Sequence, residues 1–235
     1  METLLNNEIV CPICNGVKRV HPVIDGKVDY SRTIPCECSK IELSERKRLS
    51  LLKGCSLPPR SENMTIDKYN PSRATSKAYE RAKEAIKEPG KQIWITLQGS
   101  NGMGKTHLAI AICHAWLNAG VPSKYYFVPV LLDELKKGFG KEGEESNDWK
   151  FEQLCQIPLL ILDDLGAEKG TTWALERLET IIDTRLMNNL SLIVTTNKSL
   201  DELSERIRSR LIRFDRKDIY LMIGEDYGET QWKNK

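Results

Sequence analysis

The sequence predicts an α/β fold, a five-stranded parallel sheet flanked by helices, with a small cysteine-rich module ahead of it. Three observations predict it. From Lys91 onward, short apolar strands alternate with helical stretches, the order that winds a parallel sheet. Three of the strand candidates are near-continuous apolar runs, as strands covered on both faces require. Four of the seven cysteines, Cys11, Cys14, Cys36 and Cys38, crowd the amino-terminal stretch, whereas Cys55, Cys113 and Cys155 are scattered singly.

The strand candidates are 93–97, 124–128, 159–162, 192–195 and 219–223, with helices between them that include 105–118, 172–188 and 200–212. The polar, glycine-rich stretch 138–148, GFGKEGEESND, is expected as a surface loop. Upstream, 40–53 (KIELSERKRLSLLK) and 73–88 (RATSKAYERAKEAIKE) read as helices. Between them Pro58, Pro59 and Pro71 exclude a continuous helix. The expected organisation is a cysteine-rich module with a basic helix over 1–53, a linker over 54–72 and an α/β domain over 73–235.

Composition narrows the function classes. A net charge of +2 gives no global attraction to nucleic acid, so any such role must rest on a local basic surface. No apolar run approaches the ~20 residues that span a bilayer. The N-terminus lacks the basic and long apolar regions of a signal peptide, so a cytosolic protein is expected. In that compartment cysteines serve as metal ligands or inert thiols before disulfides, and Cys55, Cys113 and Cys155 are taken as buried structural thiols.

Residues 99–106 read GSNGMGKT, which satisfies G-x-x-x-x-G-K-[ST] in full, after a strand and before an apolar helix. The chemistry needs this pattern. Glycines at Gly99, Gly102 and Gly104 let successive backbone N–H groups wrap phosphates, and the helix N-terminus adds partial positive charge. Lys105 supplies a full charge to the β/γ-phosphates, and the Thr106 hydroxyl is placed to ligate Mg²⁺. Ser100, Asn101, Met103 and His107 complete the expected nucleotide contacts, and the cofactor is ATP with Mg²⁺. The strand PLLILDD ends on the acidic partners such a loop needs: Asp163 as the metal's carboxylate, Asp164 to orient or deprotonate the attacking water. Asn197, ending the strand SLIVTT, is expected at the same crevice, since ligands sit outside the carboxyl ends of the strands.

In LSERIRSRLIRF, Arg208 and Arg213 read as a solvated helix face. Arg206 and Arg210, four apart and hence on one face, suit action on a neighbouring subunit's γ-phosphoryl. At the head, Cys11-x₂-Cys14 and Cys36-x-Cys38 offer four thiolates, the set that suits a structural Zn²⁺. Unligated thiols are the alternative, and His21 is a possible substitute ligand. So small a module cannot build a sufficient core, so a metal would supply its folding energy.

Read together, G99SNGMGKT, L162DDLG, T195TN197 and S204ERIRSR210L resemble the AAA+ ATPases. Within them the chain is most similar to the bacterial and phage replicative-helicase loaders, the DnaC/DnaI-like proteins, and to the related IstB-type transposition ATPases. The likeness takes in the cysteine-bearing head, the linker LPPR…YNP and everything from Lys91 to about Ile223. It implies an AAA+ core without a C-terminal helical lid, Arg210 as arginine finger, Arg206 as its companion and Asn197 as sensor 1. It places the adenine near 63–70. Asp164 stands where many AAA+ proteins carry glutamate, which implies slow hydrolysis used as a switch. The resemblance further implies ATP-dependent self-association, a hexameric replicative DNA helicase as partner, and delivery to single-stranded DNA during replication initiation. Two other functions remain open, a transposition ATPase and an ATP-sensing adaptor with little turnover.

Overall fold

A computed structural model of the chain describes residues 11–137, 147–167, 172–214 and 218–224. Two compact units divide at Ser50 and Leu51. The loop expected over 138–148 falls largely outside the described residues, as does the polar tail from 225 onward.

The first unit is held by short pairings. Strands β1 (Arg19–Val20) and β4 (Ile34–Pro35) pair antiparallel, as do β2 (Val23–Ile24) and β3 (Lys27–Val28). The β2–β3 turn runs through Asp25 and Gly26, both at positive φ, the backbone a two-residue hairpin loop demands. Helix α1 (Glu37–Gly54) then carries the chain into the second unit. It starts earlier than the sequence suggests, because Glu37 favours the first turn of a helix.

In the second unit, the stretch 54–72 is folded onto the α/β core rather than extended. It forms 3-10 turns at Pro59–Asn63 and Ile66–Lys68. Cys55 and Ser61 are buried, and the Cys55 carbonyl accepts from the Tyr125 amide at 2.9 Å. Helix α2 (Ser76–Lys87) follows, then β5 (Trp94–Gly99), α3 (Lys105–Asn118), β6 (Ser123–Phe127), α4 (Val128–Lys137), α5 (Asn147–Gln156), β7 (Leu159–Asp163), α6 (Thr172–Met187), β8 (Ser191–Thr196), α7 (Glu205–Phe214) and β9 (Ile219–Met222). All five sheet strands are parallel, in the order β6-β7-β8-β5-β9. The helix expected over 200–212 is broken: Ser199 and Glu202 form a reciprocal cap on a short 3-10 turn, Leu203 is extended, and the Ser204 hydroxyl caps α7.

The strand period of two sorts the core into two layers. Ile93, Ile95, Leu97, Leu159, Ile161 and Ile193 pack with α2 and α3, while Trp94, Leu160, Leu162, Leu192 and Val194 pack with α4 to α7. This alternation positions the site. Asp163 and Thr195 continue the first series and Thr196 the second. Asp163 and Thr195 therefore face α3, where the phosphate loop ends. Arg185, fully buried on α6, donates to the carbonyls of Leu154, Ile157 and Ser191 at 2.7, 2.8 and 2.5 Å and so ties together the segments that lead into β7 and β8. Burial without a carboxylate pulls its guanidinium down to about 9. The expectation for the three isolated cysteines agrees with the structure: Cys55, Cys113 and Cys155 are buried, and burial pushes each thiol up.

Candidate nucleotide and metal sites

The loop 99–106 joins β5 to α3 at the carboxyl end of the sheet. Two of its glycines are required by the chain itself. Gly99 adopts φ +148°, and a Cβ there would stand 1.8 Å from the Met222 carbonyl oxygen of β9. Gly104 adopts φ +78°, and a Cβ would meet the Tyr69 ring at 2.5 Å. The sequence assigned both glycines to phosphate access alone; close packing of β9 and Tyr69 is an additional cause. Lys105 is buried and donates to the Gly99 and Ser100 carbonyls at 2.9 and 2.7 Å, and burial lowers its pKa.

Asp163 gathers three hydroxyl donors: Thr106 at 2.8 Å, Tyr125 at 2.7 Å and Thr195 at 2.5 Å. A carboxylate beside a threonine hydroxyl is a set of hard oxygens that fits Mg²⁺. Asp164 sits at φ +60°, a left-handed backbone that non-glycine residues adopt at a cost. The Asp164 amide donates to Thr195 Oγ1 at 2.9 Å, and its carboxylate accepts from Asn197 at 2.7 Å. Burial, then the neighbouring Asp163, raises the Asp164 pKa. Asn101, Gly102, Met103, Gly104, Lys105, Thr106, Asp163, Asp164 and Asn197 line one cleft of about 300 Å³, together with Phe127 and Thr195.

Beside it, sharing Gly102, Met103 and Gly104, lies a more apolar pocket of about 410 Å³, lined also by Tyr69, Ala74, Thr75 and His107. Tyr69 stacks on Tyr79 at 5.6 Å, meets His107 edge-on at 5.3 Å and donates to the Met103 carbonyl at 3.0 Å. His107 bonds the Thr65 carbonyl at 2.7 Å. An apolar pocket joined to a polar cleft through one backbone fits a nucleoside joined to its phosphates. The pocket lies against residues 68–75, overlapping the end of the expected 63–70 stretch and extending beyond it.

Arg206 and Arg210 stand apart from this cleft. Neither lines it. Arg210 pairs with Asp183 of α6 and Arg206 with Glu179. Arg208 pairs with Asp201, and Arg213 is exposed.

In the first unit, the sulfurs of Cys11, Cys14, Cys36 and Cys38 all lie within 4.8 Å of one another. Cys11–Cys36 and Cys14–Cys38 are separated by 3.9 and 3.5 Å. Four sulfurs about 2.3 Å from a tetrahedral zinc stand roughly 3.8 Å apart, so the cluster fits the ion. Backbone amides of Cys14 and Ile13 pull the Cys11 thiol down to about 6, while its hydrogen bond with Cys14 pushes Cys38 up to about 12. Thiols this close cannot all ionise without a cation among them. His21 is not a member: its Nδ1 bonds the Arg32 carbonyl at 2.9 Å.

Sequence reasoning missed Tyr125 and Thr195, and reached Tyr69 only within the 63–70 stretch expected near the adenine. Tyr125 had a signal, since it lies on β6 two residues from Phe127, which pairs with Asp163, and so shares that aspartate's face. The contact of Tyr69 with the loop had none, because it spans 34 residues of chain.

The sequence pattern of the IstB-like ATP binding proteins matches residues 45–211. The replicative helicase loader DnaI of Bacillus subtilis is 27% identical over 200 residues, 81% of this chain and 63% of that protein. The replicative helicase loader DnaC of Escherichia coli is 25% identical over 162 residues, covering 69% and 63%. This chain thus spans under two thirds of either relative. The crystal structure of the DnaC helicase loader superposes with a TM-score of 0.60 at 26% identity, covering 72% of this chain and 100% of that one. No helix among the described residues is long and apolar enough to cross a membrane.

Proposed function

The chain belongs to the IstB-like ATP binding protein family, and on that premise we propose that it is an ATP-dependent loader of a replicative DNA helicase onto single-stranded DNA. The observation that carries the reading is that Lys105, Thr106, Asp163, Asp164 and Asn197 converge on one cleft, while Arg206 and Arg210 lie outside it. A site with that division is completed by a second copy. The names of the DnaI and DnaC relatives support the choice of task.

In this reading, Lys105 brings a full positive charge to the β/γ-phosphates, and Thr106 and Asp163 hold Mg²⁺, whose role is to neutralise charge developing on the γ-phosphoryl. Tyr125 and Thr195 fix the Asp163 carboxylate. Asp164, oriented by Asn197, positions the attacking water and accepts its proton. Tyr69, Ala74 and Met103 receive the adenine. Arg210 of a neighbouring copy, with Arg206 beside it, reaches the γ-phosphate. ATP binding therefore assembles subunits, and slow hydrolysis releases them in the cytosol where replication starts.

The four cysteines hold a structural zinc, and the head with its basic helix contacts the helicase. Chelation should then release one zinc per chain and unfold the first unit while leaving ATP affinity unchanged. Zinc release by a colorimetric chelator and titration of a fluorescent ATP analogue check both halves. Affinity capture from the native cell under ATP tests the task. Recovery of a hexameric replicative helicase is expected; recovery of a transposase in its place would overturn the loader reading in favour of target selection for transposition.

A further inference from the structure

Helices α6 and α7 meet through two charged rungs in matched register. Glu179 and Asp183 lie four apart on α6; Arg206 and Arg210 lie four apart on α7. Glu179 accepts from Arg206 at 3.3 Å and from the Ser204 hydroxyl at 3.2 Å. Arg206 is largely exposed, so that rung is loose.

The second rung is oriented. Arg210 Nε donates to Asp183 Oδ1 at 2.5 Å and Nη2 to Oδ2 at 3.2 Å, a side-on bidentate pair. Arg210 Nη1 donates to the Arg206 carbonyl at 3.3 Å, one helical turn back. A guanidinium has five N–H bonds in a planar fork. These contacts use three of them. Two are left over, one on Nη1 and one on Nη2, the two nitrogens whose shared end-on edge matches two oxygens of a phosphate.

We infer that Asp183 is a positioning residue for Arg210, holding its guanidinium by the side-on edge so that the end-on edge is presented to the γ-phosphate of a neighbouring copy. The inference rests on the proposed trans role of Arg210. A long, flexible side chain at a subunit boundary loses rotamer entropy when it docks; a carboxylate that fixes it beforehand removes that cost. Glu179 serves Arg206 in the same way, more weakly.

The test mixes two variants. D164N subunits keep the arginine face but lack the water-orienting carboxylate, whereas R210A subunits keep the cleft but lack the arginine. Their mixture should recover hydrolysis. With D164N/D183A subunits as arginine donors, recovery should fall about tenfold or more. The donors' own ATP affinity and ATP-dependent assembly should stay within about twofold, since Asp183 is 43% exposed and outside the cleft. D164N/D183E donors, which keep a carboxylate, should recover part of the rate. Undiminished rescue by D164N/D183A would overturn the inference while leaving the shared site standing. Increased rescue would make Asp183 a restraining latch, also against it. Loss of assembly would assign Asp183 to the interface alone. Absence of rescue by D164N itself would remove the shared site, and the inference with it.

Discussion

The cleft at Gly99–Thr106 and the arginine pair on α7 serve the same chemistry in the proposed function, but they are built in opposite ways. The cleft is over-determined within one chain: Asp163 alone accepts from hydroxyls on α3, β6 and β8, and Lys105 is buried against its own loop. The arginines rest on two carboxylates of α6, Glu179 and Asp183, and line no part of that cleft. In the proposed function, preorganised groups give binding, and groups held outside the site give timing, because they would act only when another copy arrives. Binding and hydrolysis should therefore separate cleanly under mutation.

The largest separation is expected for Arg210→Ala. Stimulated hydrolysis should fall about 10³-fold while ATP affinity holds, as removal of an arginine finger implies; steady-state turnover beside a nucleotide titration measures both. Lys105→Ala should do the reverse, weakening ATP binding about 100-fold through loss of a charge-assisted phosphate contact. Tight ATP binding by that variant would break the comparison. Tyr125→Phe removes one of three hydroxyls from Asp163 and should cost about tenfold in Mg²⁺-dependent turnover, with Mg²⁺ titration showing a weaker apparent affinity.

The smallest effect is a shift in pH profile. Asp164 must be ionised to take a proton, and burial with Asp163 beside it raises its pKa. Activity should therefore be lost on acidification at a higher pH than an ordinary aspartate would set. The hydrogen bond from Asn197 opposes that rise. Asn197→Ala should move the acid limb of kcat further up, by a fraction of a pH unit.

Much of the cleft was legible in the sequence because its parts are contiguous. Gly99–Thr106 is a local backbone device, and PLLILDD and SLIVTT announce buried strands that end in polar residues on the sheet's carboxyl edge. The four cysteines were legible for the same reason, and the structure brings their sulfurs together. What was illegible is tertiary. The Tyr69 contact with the loop and the Asp183–Arg210 pair span 34 and 27 residues with no local pattern to mark them, and Tyr125 meets Asp163 across 38, marked only by the strand pairing that puts both on one face. Nothing local marks Arg185 either, yet it is fully buried on backbone carbonyls. Helices α4 and α5 were not separated from their surroundings, since Pro129 stands in the first turn of one and polar residues open the other. Proline is tolerated there because the first helical N–H groups have no partner to lose.

In the proposed function, one chain carries two half-sites that cannot complete each other. Specific ATPase activity measured against protein concentration, at saturating ATP and Mg²⁺, tests it most directly. A rise is expected over the range in which ATP-dependent oligomers form, with Arg210→Ala flat at a low level throughout. Specific activity that stays constant down to concentrations where the wild-type chain is monomeric would contradict it.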